Sequence, residues 1–400
     1  MNVYVVALLC VAEVLTMTGV ATYAALLPVL RSEWHATNTL AGVISGAFFG
    51  GYLMAVPLLV SLTDRIPARR VYVCACAALA AGALAFSRAT GPGGAMAAQA
   101  LLGAGLAGTY MPGLKELSDR TAGPGQSRSI AFYTSTFGIG NSLSLWLAGA
   151  LQSHVGWRVA FAAAAAGPVA AALLIATALP ARPFVASTKP RRGLFRAVLR
   201  DRRIAGYVIG YAAHCWELFA VRSWLVAFLA FAAEGAAVSA PTMAAIMSLL
   251  GPPASISGNE IAAGRRVRMV RITMATGAVL ACVTGLTTGM GTGIVIAVTS
   301  LYVFVIMADS AAMTAGLIEV SPPEARGTAM AVYSFFGFSG ALIGPITFGA
   351  LLDAGGGAGT RRAWLLAFSG IALVSLAGVA ALGSQGRATR VGSTSRATQP

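Results

Sequence analysis

The sequence predicts an all-α membrane protein in which twelve transmembrane helices form two pseudo-symmetric bundles of six. Hydrophobic residues make up 57% of the chain and charged residues only 10%, proportions far from those of a soluble domain. Apolar runs of about 17 to 25 residues recur along it, the length that a helix needs to cross roughly 30 Å of hydrocarbon. Two stretches that lie 196 residues apart share one residue pattern, which indicates two copies of one unit.

The twelve predicted spans are separated by polar or Gly- and Pro-rich segments. In chain order they cover residues 3–30, 38–62, 71–88, 94–117, 129–152, 157–179, 204–231, 239–259, 269–289, 293–317, 328–352 and 363–383. The first run is too long for a signal peptide and lacks a basic flank and a small-residue cleavage site, so we expect it to remain as span 1.

Three repeated patterns divide the chain into halves. In residues 57–70 and again in 253–266, an acid follows a proline by seven residues, and Arg-Arg follows the acid by five. The pattern Pro-x-x-x-Arg begins at Pro124 and Pro322, and Trp-x-x-Ala-Phe begins at Trp157 and Trp364. These offsets of 196 to 207 residues predict an N-terminal bundle (1–180), a basic cytoplasmic linker (181–203), a C-terminal bundle (204–383) and a disordered cytoplasmic tail (384–400).

The distribution of charge predicts the topology. The formal charge is +15, and 22 of the 28 Lys and Arg residues fall in segments that share one side of the membrane if the N-terminus is cytoplasmic. This asymmetry is the positive-inside rule, so the basic character indicates topology and contact with the lipid bilayer rather than a nucleic-acid partner. We expect a multi-pass protein of the cell inner (plasma) membrane with both termini in the cytoplasm.

Enzyme and metal motifs are absent from the sequence. No phosphate-binding loop is present, and the three histidines are scattered, so we predict neither an enzyme nor an ATP-driven pump. All five cysteines fall within spans, where a buried thiol is the ordinary interpretation; we expect no disulfide, no metal and no cofactor.

The loop between spans 2 and 3 carries a family resemblance. Residues 61–70 read Ser-Leu-Thr-Asp-Arg-Ile-Pro-Ala-Arg-Arg, close to the signature G-x-L-x-D-R-x-G-R-R/K but departing from it at the glycines. The sequence therefore resembles the major facilitator superfamily (MFS), and the resemblance covers essentially the whole chain. It implies the MFS fold and a secondary transporter that moves a small-molecule substrate by alternating access, draws on a proton gradient and acts as a monomer.

Two inner loops are predicted to gate transport. A carboxylate that faces a guanidinium pair can form charge-assisted bonds that bias one conformation. The alternative is a solvated loop that only sets topology. The predicted gating residues are Asp64, Arg65, Arg69 and Arg70 in the first half and Glu260, Arg265 and Arg266 in the second.

Two landmarks of the family are altered here. In span 4 the usual R-x-x-Q-G-x-G lacks its arginine, so we do not expect proton coupling through that position, and span 5 lacks the proline of drug antiporters. Small residues in spans 5 and 11 predict close helix packing, with direct substrate contact as the alternative and a hinge at the proline. They are Gly138, Gly140 and Asn141 in span 5, and Gly344 and Pro345 in span 11.

Ionisable residues at membrane depth indicate function, because a charged group there has a high free energy unless it is paired or faces a cavity. His214 and Glu217 are neighbours on one face of span 7, and protonation of such a buried pair can change near neutral pH. We predict a proton-carrying role for this pair, with a hydrogen-bonded core histidine as the alternative. Glu13 and Asp309 are equally compatible with coupling or with a structural bond between helices, and Arg222 with anion binding, a salt bridge or snorkelling to the surface.

The substrate class is less constrained. The H-x-x-E segment and Asp309-Ser310 are distantly similar to the nitrate/nitrite-porter branch, but spans 2 and 8 lack the arginines of its anion site. We expect a small organic solute, anionic if Arg222 faces the cavity. A multidrug/proton antiporter is the alternative within transport, and a non-transporting membrane sensor or scaffold is the alternative of another class.

Overall fold

The computed structural model describes residues 3–63, 65–121, 126–180, 198, 200–322 and 325–383. Sixteen α-helices account for most of these described residues. They are α1 (Val3–Thr16), α2 (Thr22–Glu33), α3 (Asn38–Leu62), α4 (Ala68–Ser87), α5 (Pro92–Arg120), α6 (Gln126–Val155), α7 (Trp157–Ala164), α8 (Ala166–Ala178), α9 (Arg202–Ala232), α10 (Ala240–Ser248), α11 (Gly251–Ala262), α12 (Arg266–Leu286), α13 (Thr292–Ala308), α14 (Ser310–Val320), α15 (Arg326–Ala354) and α16 (Arg361–Gly383).

The predicted fold class is confirmed. Among the described residues, nine helical segments are long and apolar enough to cross a bilayer, and each coincides with a predicted span. The remaining predicted spans are helical as well: residues 94–117 lie in α5, 129–152 in α6, and 239–259 in α10 and α11.

Four predicted spans are interrupted in the middle. Span 1 changes to a 3₁₀ turn at Met17–Gly19 between α1 and α2, and span 6 is interrupted at Ala165 between α7 and α8. Span 8 is interrupted before Pro252 and Pro253, which lie at the start of α11. Proline is tolerated there because the N–H groups of a first helical turn have no carbonyl partner within the helix, so none of its hydrogen bonds is lost. Span 10 is interrupted at Asp309, which ends α13 and precedes α14.

The described residues form two compact units. Unit 1 lies within residues 1–189 and 222–249, and unit 2 within 190–221 and 250–400. The core of unit 1 includes Tyr72, Leu117 and Tyr133, and that of unit 2 includes Tyr207 and Met313. The predicted boundaries of the bundles, linker and tail stay a prediction, and most of the linker and all of the tail lie outside the described residues.

A glycine allows the same close helix contact in each unit. A Cβ added at Gly51 on α3 would lie 1.9 Å from the carbonyl oxygen of Ala100 on α5, and one at Gly258 on α11 would lie 1.8 Å from that of Ala308 on α13. Span 2 therefore touches span 4 as span 8 touches span 10, with no room for a side chain at either contact.

Candidate functional site

The ionisable cluster of unit 2 is built on α9. His214 and Glu217 lie one helical turn apart on this helix, and their exposed fractions are only 2% and 3%. Charged groups buried this deeply in a membrane protein require partners or a cavity. The structure supplies those partners from three other helical segments.

His214 contacts Asp309 directly. Its Nδ1 atom lies 2.9 Å from Oδ1 of Asp309, and the aspartate is 3% exposed. The break between α13 and α14 brings the aspartate to this position, because the chain leaves regular helix there. The pair carries a full ionic interaction only when the imidazole holds a second proton, so one proton decides whether the contact is ionic or neutral.

Glu217 has its own hydrogen bonds. Tyr302 on α13 donates its hydroxyl to Oε1 at 2.8 Å, and Ser375 on α16 donates to Oε2 at 2.6 Å. His214 and Asp309 lie within electrostatic range of this carboxylate. Glu217 therefore shares the environment of the His214 pair, although its two donors come from elsewhere.

An aromatic stack holds the imidazole in place. The ring of Tyr211 lies nearly parallel to that of His214 at 5.8 Å and stacks on Tyr333 of α15 at 3.8 Å. The hydroxyl of Tyr333 is 3.2 Å from that of Thr314 on α14. This packing fixes the orientation in which Nδ1 meets Asp309.

Unit 1 contains a related buried carboxylate. Glu13 on α1 is fully buried, and Tyr133 on α6 donates its hydroxyl to Oε2 at 2.9 Å. Within the described residues, Oε1 of Glu13 has no hydrogen-bond partner. Glu13 and Glu217 are 204 residues apart, within the 196-to-207-residue range of the sequence repeats, and each lies in the first span of its predicted bundle.

Arg222 lies in the part of α9 that belongs to unit 1. Its guanidinium carbon is 5.2 Å from the ring centroid of Phe137 on α6, a cation–π distance. The side chain is only partly buried. Arg222 belongs to unit 1, whereas His214 belongs to unit 2.

Two of the predicted gating residues, Arg69 and Arg266, contact other helices. In unit 2, Arg266 donates to Oε1 of Glu319 on α14 at 2.6 Å and to Oδ1 of Asn259 at 2.8 Å. In unit 1, the backbone N–H of Arg69 donates to Glu116 on α5 at 3.3 Å. Asp64 lies outside the described residues, while Arg65, Arg70, Glu260 and Arg265 lie at the ends of the same loops.

The small residues of spans 5 and 11 lie at helix contacts. A Cβ at Gly140 would lie 2.6 Å from Cβ of Met17, and one at Gly344 would lie 2.3 Å from the carbonyl oxygen of Trp216. Asn141 donates to the hydroxyl of Ser248 on α10 at 3.2 Å. Gly138 is buried in α6, and α15 continues as a helix through Pro345. Gly140 and Gly344 therefore lie where two helices approach closely.

Sequence reasoning missed the neutral partners and the two acids Glu116 and Glu319. Tyr133, Tyr302 and Ser375 look like ordinary polar residues within apolar spans. The one available signal was the repeat: Glu116 and Glu319 are 203 residues apart, so the second acid could have been inferred from the first.

The comparisons with known proteins agree with this architecture. The sequence pattern described as Major Facilitator Superfamily matches residues 9–317, well over half of the chain. The chain belongs to this superfamily. A comparison of the MFS chain with curated proteins gives no significant match.

Solved structures of similar fold are transporters. A bacterial homolog to the human lysosomal transporter Spinster, in an inward-facing and unoccupied conformation, is 14% identical with a TM-score of 0.76, and the match covers 96% of this chain and 95% of that one. The nucleoside transporter NupG, in a mutant form, is 14% identical with a TM-score of 0.80, over 95% of this chain and 99% of that one. At this identity the likeness shows the fold.

Proposed function

We propose that this MFS protein is a proton-coupled secondary transporter that moves a small organic solute by alternating access, with His214, Asp309 and Glu217 as the proton-carrying group. The contact between His214 and Asp309 carries the proposal, since a buried imidazole and carboxylate 2.9 Å apart form a pair that changes charge by one proton. An ordinary core histidine would not require a buried acid on another helix as its partner.

The substrate class is proposed from this chain's own residues. Arg222 lies within a span rather than in an inner loop, and its contact with Phe137 places an aromatic face and a guanidinium together. Such a pair suits a small organic anion. Similarity to the nitrate/nitrite-porter branch stays a prediction, and residues 38–62 and 239–259 contain no Arg or Lys to build that branch's anion site.

The proposal is tested in membrane vesicles. An untargeted metabolite screen in inside-out and right-side-out vesicles identifies solutes whose uptake requires the protein. Uptake is then measured across a range of pH for the wild type, His214→Ala and Glu217→Gln, with the exposed Thr276→Val on α12 as the control. Wild-type pH dependence in both site variants would remove the proton assignment.

The alternatives give different results in the same system. If the protein is a multidrug/proton antiporter, cells that express it should be less susceptible to large apolar cations in a drug panel than cells that do not. A sensor or scaffold would bind a ligand without producing flux in proteoliposomes.

A further inference from the structure

A cavity inside unit 2 leads to Asp309. It has a volume of about 160 Å³ and is bounded by α11, α12 and the break between α13 and α14. Its polar lining groups are Ser257, Thr273 and Asp309; the other lining residues are apolar. The cavity stands on the side of Asp309 contributed by α11 and α12, whereas His214 approaches the carboxylate from α9.

The residues that line the cavity differ in exposure from one end to the other. Ile261, which is 65% exposed, and Met269 line it near the turn between α11 and α12, where Arg265 and Arg266 lie. Asp309 lines it at 3% exposure. By the charge distribution, this exposed end is the cytoplasmic one.

We infer that this cavity holds water and is the route by which protons from the cytoplasm reach Asp309 and His214. The inference rests on the proposed proton-carrying role of the pair. At about 30 Å³ per molecule of liquid water, the volume accommodates roughly five waters. A buried water needs two to four polar partners, and the carboxylate together with the two hydroxyls supplies them.

Charged and titratable groups surround Asp309 on the other sides. His214 and Glu217 face it from α9, and Tyr333 lies within electrostatic range on α15. The ion pair of Arg266 and Glu319 lies about one turn of α12 before Met269.

The first test asks whether water reaches the cavity. Thr273→Cys and Thr276→Cys are compared in vesicles for modification by 2-aminoethyl methanethiosulfonate, located by mass spectrometry so that the native cysteines can stay. Thr276 is exposed one turn along α12 but does not line the cavity, and we expect it to face lipid. The expected result is faster modification at position 273. Equal or slower modification there means a dry or lipid-filled cavity and overturns the inference.

The second test asks whether protons use it. Proton uptake by the purified protein after a pH jump is followed by stopped flow with pyranine as the indicator. Thr273→Phe should slow uptake about tenfold, the effect of ~1.4 kcal/mol on a barrier, while Thr276→Phe should not. Thr273→Leu places a smaller side chain in the cavity and is measured in parallel, so that the test does not depend on the folding of Thr273→Phe.

Asp309→Asn separates the two ways of failing. If this variant takes up as many protons as the wild type, the proton-carrying role itself is wrong. If it takes up fewer, but both Thr273 variants react at the wild-type rate, the pair carries protons and only the route is wrong.

Discussion

The Nδ1 atom of His214 and the Oδ1 atom of Asp309 lie 2.9 Å apart, with both side chains almost completely buried in unit 2. The two residues are far apart in the chain and meet because α13 ends at the aspartate. Removal of one partner from a buried ion pair leaves an uncompensated charge, which is strongly unfavourable. The pair should therefore bind and release its proton as one unit.

The first prediction concerns this coupling. Asp309→Asn keeps the shape of its side chain, His214→Gln keeps a polar side chain of similar length, and each removes one partner's charge, so each should make transport independent of pH. Because the residues act together, the double variant should be no worse than the poorer single variant. The measurement is the pH profile of uptake in vesicles for all four proteins. Losses that add in the double variant would show that the two residues act separately.

The second prediction concerns the donors to Glu217. Tyr302→Phe and Ser375→Ala each leave a buried carboxylate oxygen without its hydrogen bond, which costs about 1–3 kcal/mol of stability. Thermal unfolding of the purified protein should therefore begin at a lower temperature in both. Ser339→Ala is the control, because that hydroxyl bonds only its own helix at Phe335 and its loss should change stability by under about 0.5 kcal/mol.

The features of this site that lie within a single helix could be predicted from the sequence, whereas the contacts between helices could not. Apolar length and the repeats predicted the helices and selected His214, Glu217 and Asp309 as ionisable groups at membrane depth. Spacing on one helix favoured His214 with Glu217, whereas the direct contact of His214 is with Asp309. That contact requires the interruption of span 10 at Asp309, and it requires that this part of the span face α9. Neither can be predicted from the hydrophobic periodicity of a single helix.

The third prediction concerns Glu13. Glu13 lies in the first span of its predicted bundle, as Glu217 does in the other, and likewise receives a tyrosine hydroxyl, so Glu13→Gln should fold and should alter the pH profile of transport as Glu217→Gln does. Tyr133→Phe, which removes the donor, should lower thermal stability by about 1–3 kcal/mol. An unchanged pH profile in Glu13→Gln would assign Glu13 to a structural bond between helices instead.

The fourth prediction concerns the inner loop of unit 2. Glu319 is 59% exposed, so its bond with Arg266 contributes about 0.2–1 kcal/mol, enough to bias a conformational equilibrium without fixing it. Glu319→Gln should change the transport rate by up to about fivefold without loss of folding. The exchange of both charges, Arg266→Glu with Glu319→Arg, should restore part of the rate. Arg268→Gln, at an exposed arginine on the same helix, is the control.

The fifth prediction tests the close contact between α11 and α13. Gly258→Ala would place a Cβ 1.8 Å from the carbonyl oxygen of Ala308, so the two helices must separate beside Asp309. Such overpacking typically costs about 1–3 kcal/mol, and thermal unfolding should occur at a lower temperature. Gly293→Ala on α13 is the matched control, since no atom lies within 4 Å of its added Cβ. There the replacement should be neutral or stabilising by up to about 1 kcal/mol, because alanine favours the helix. Equal effects at both positions would mean that loss of backbone freedom, and not the contact, decides the outcome.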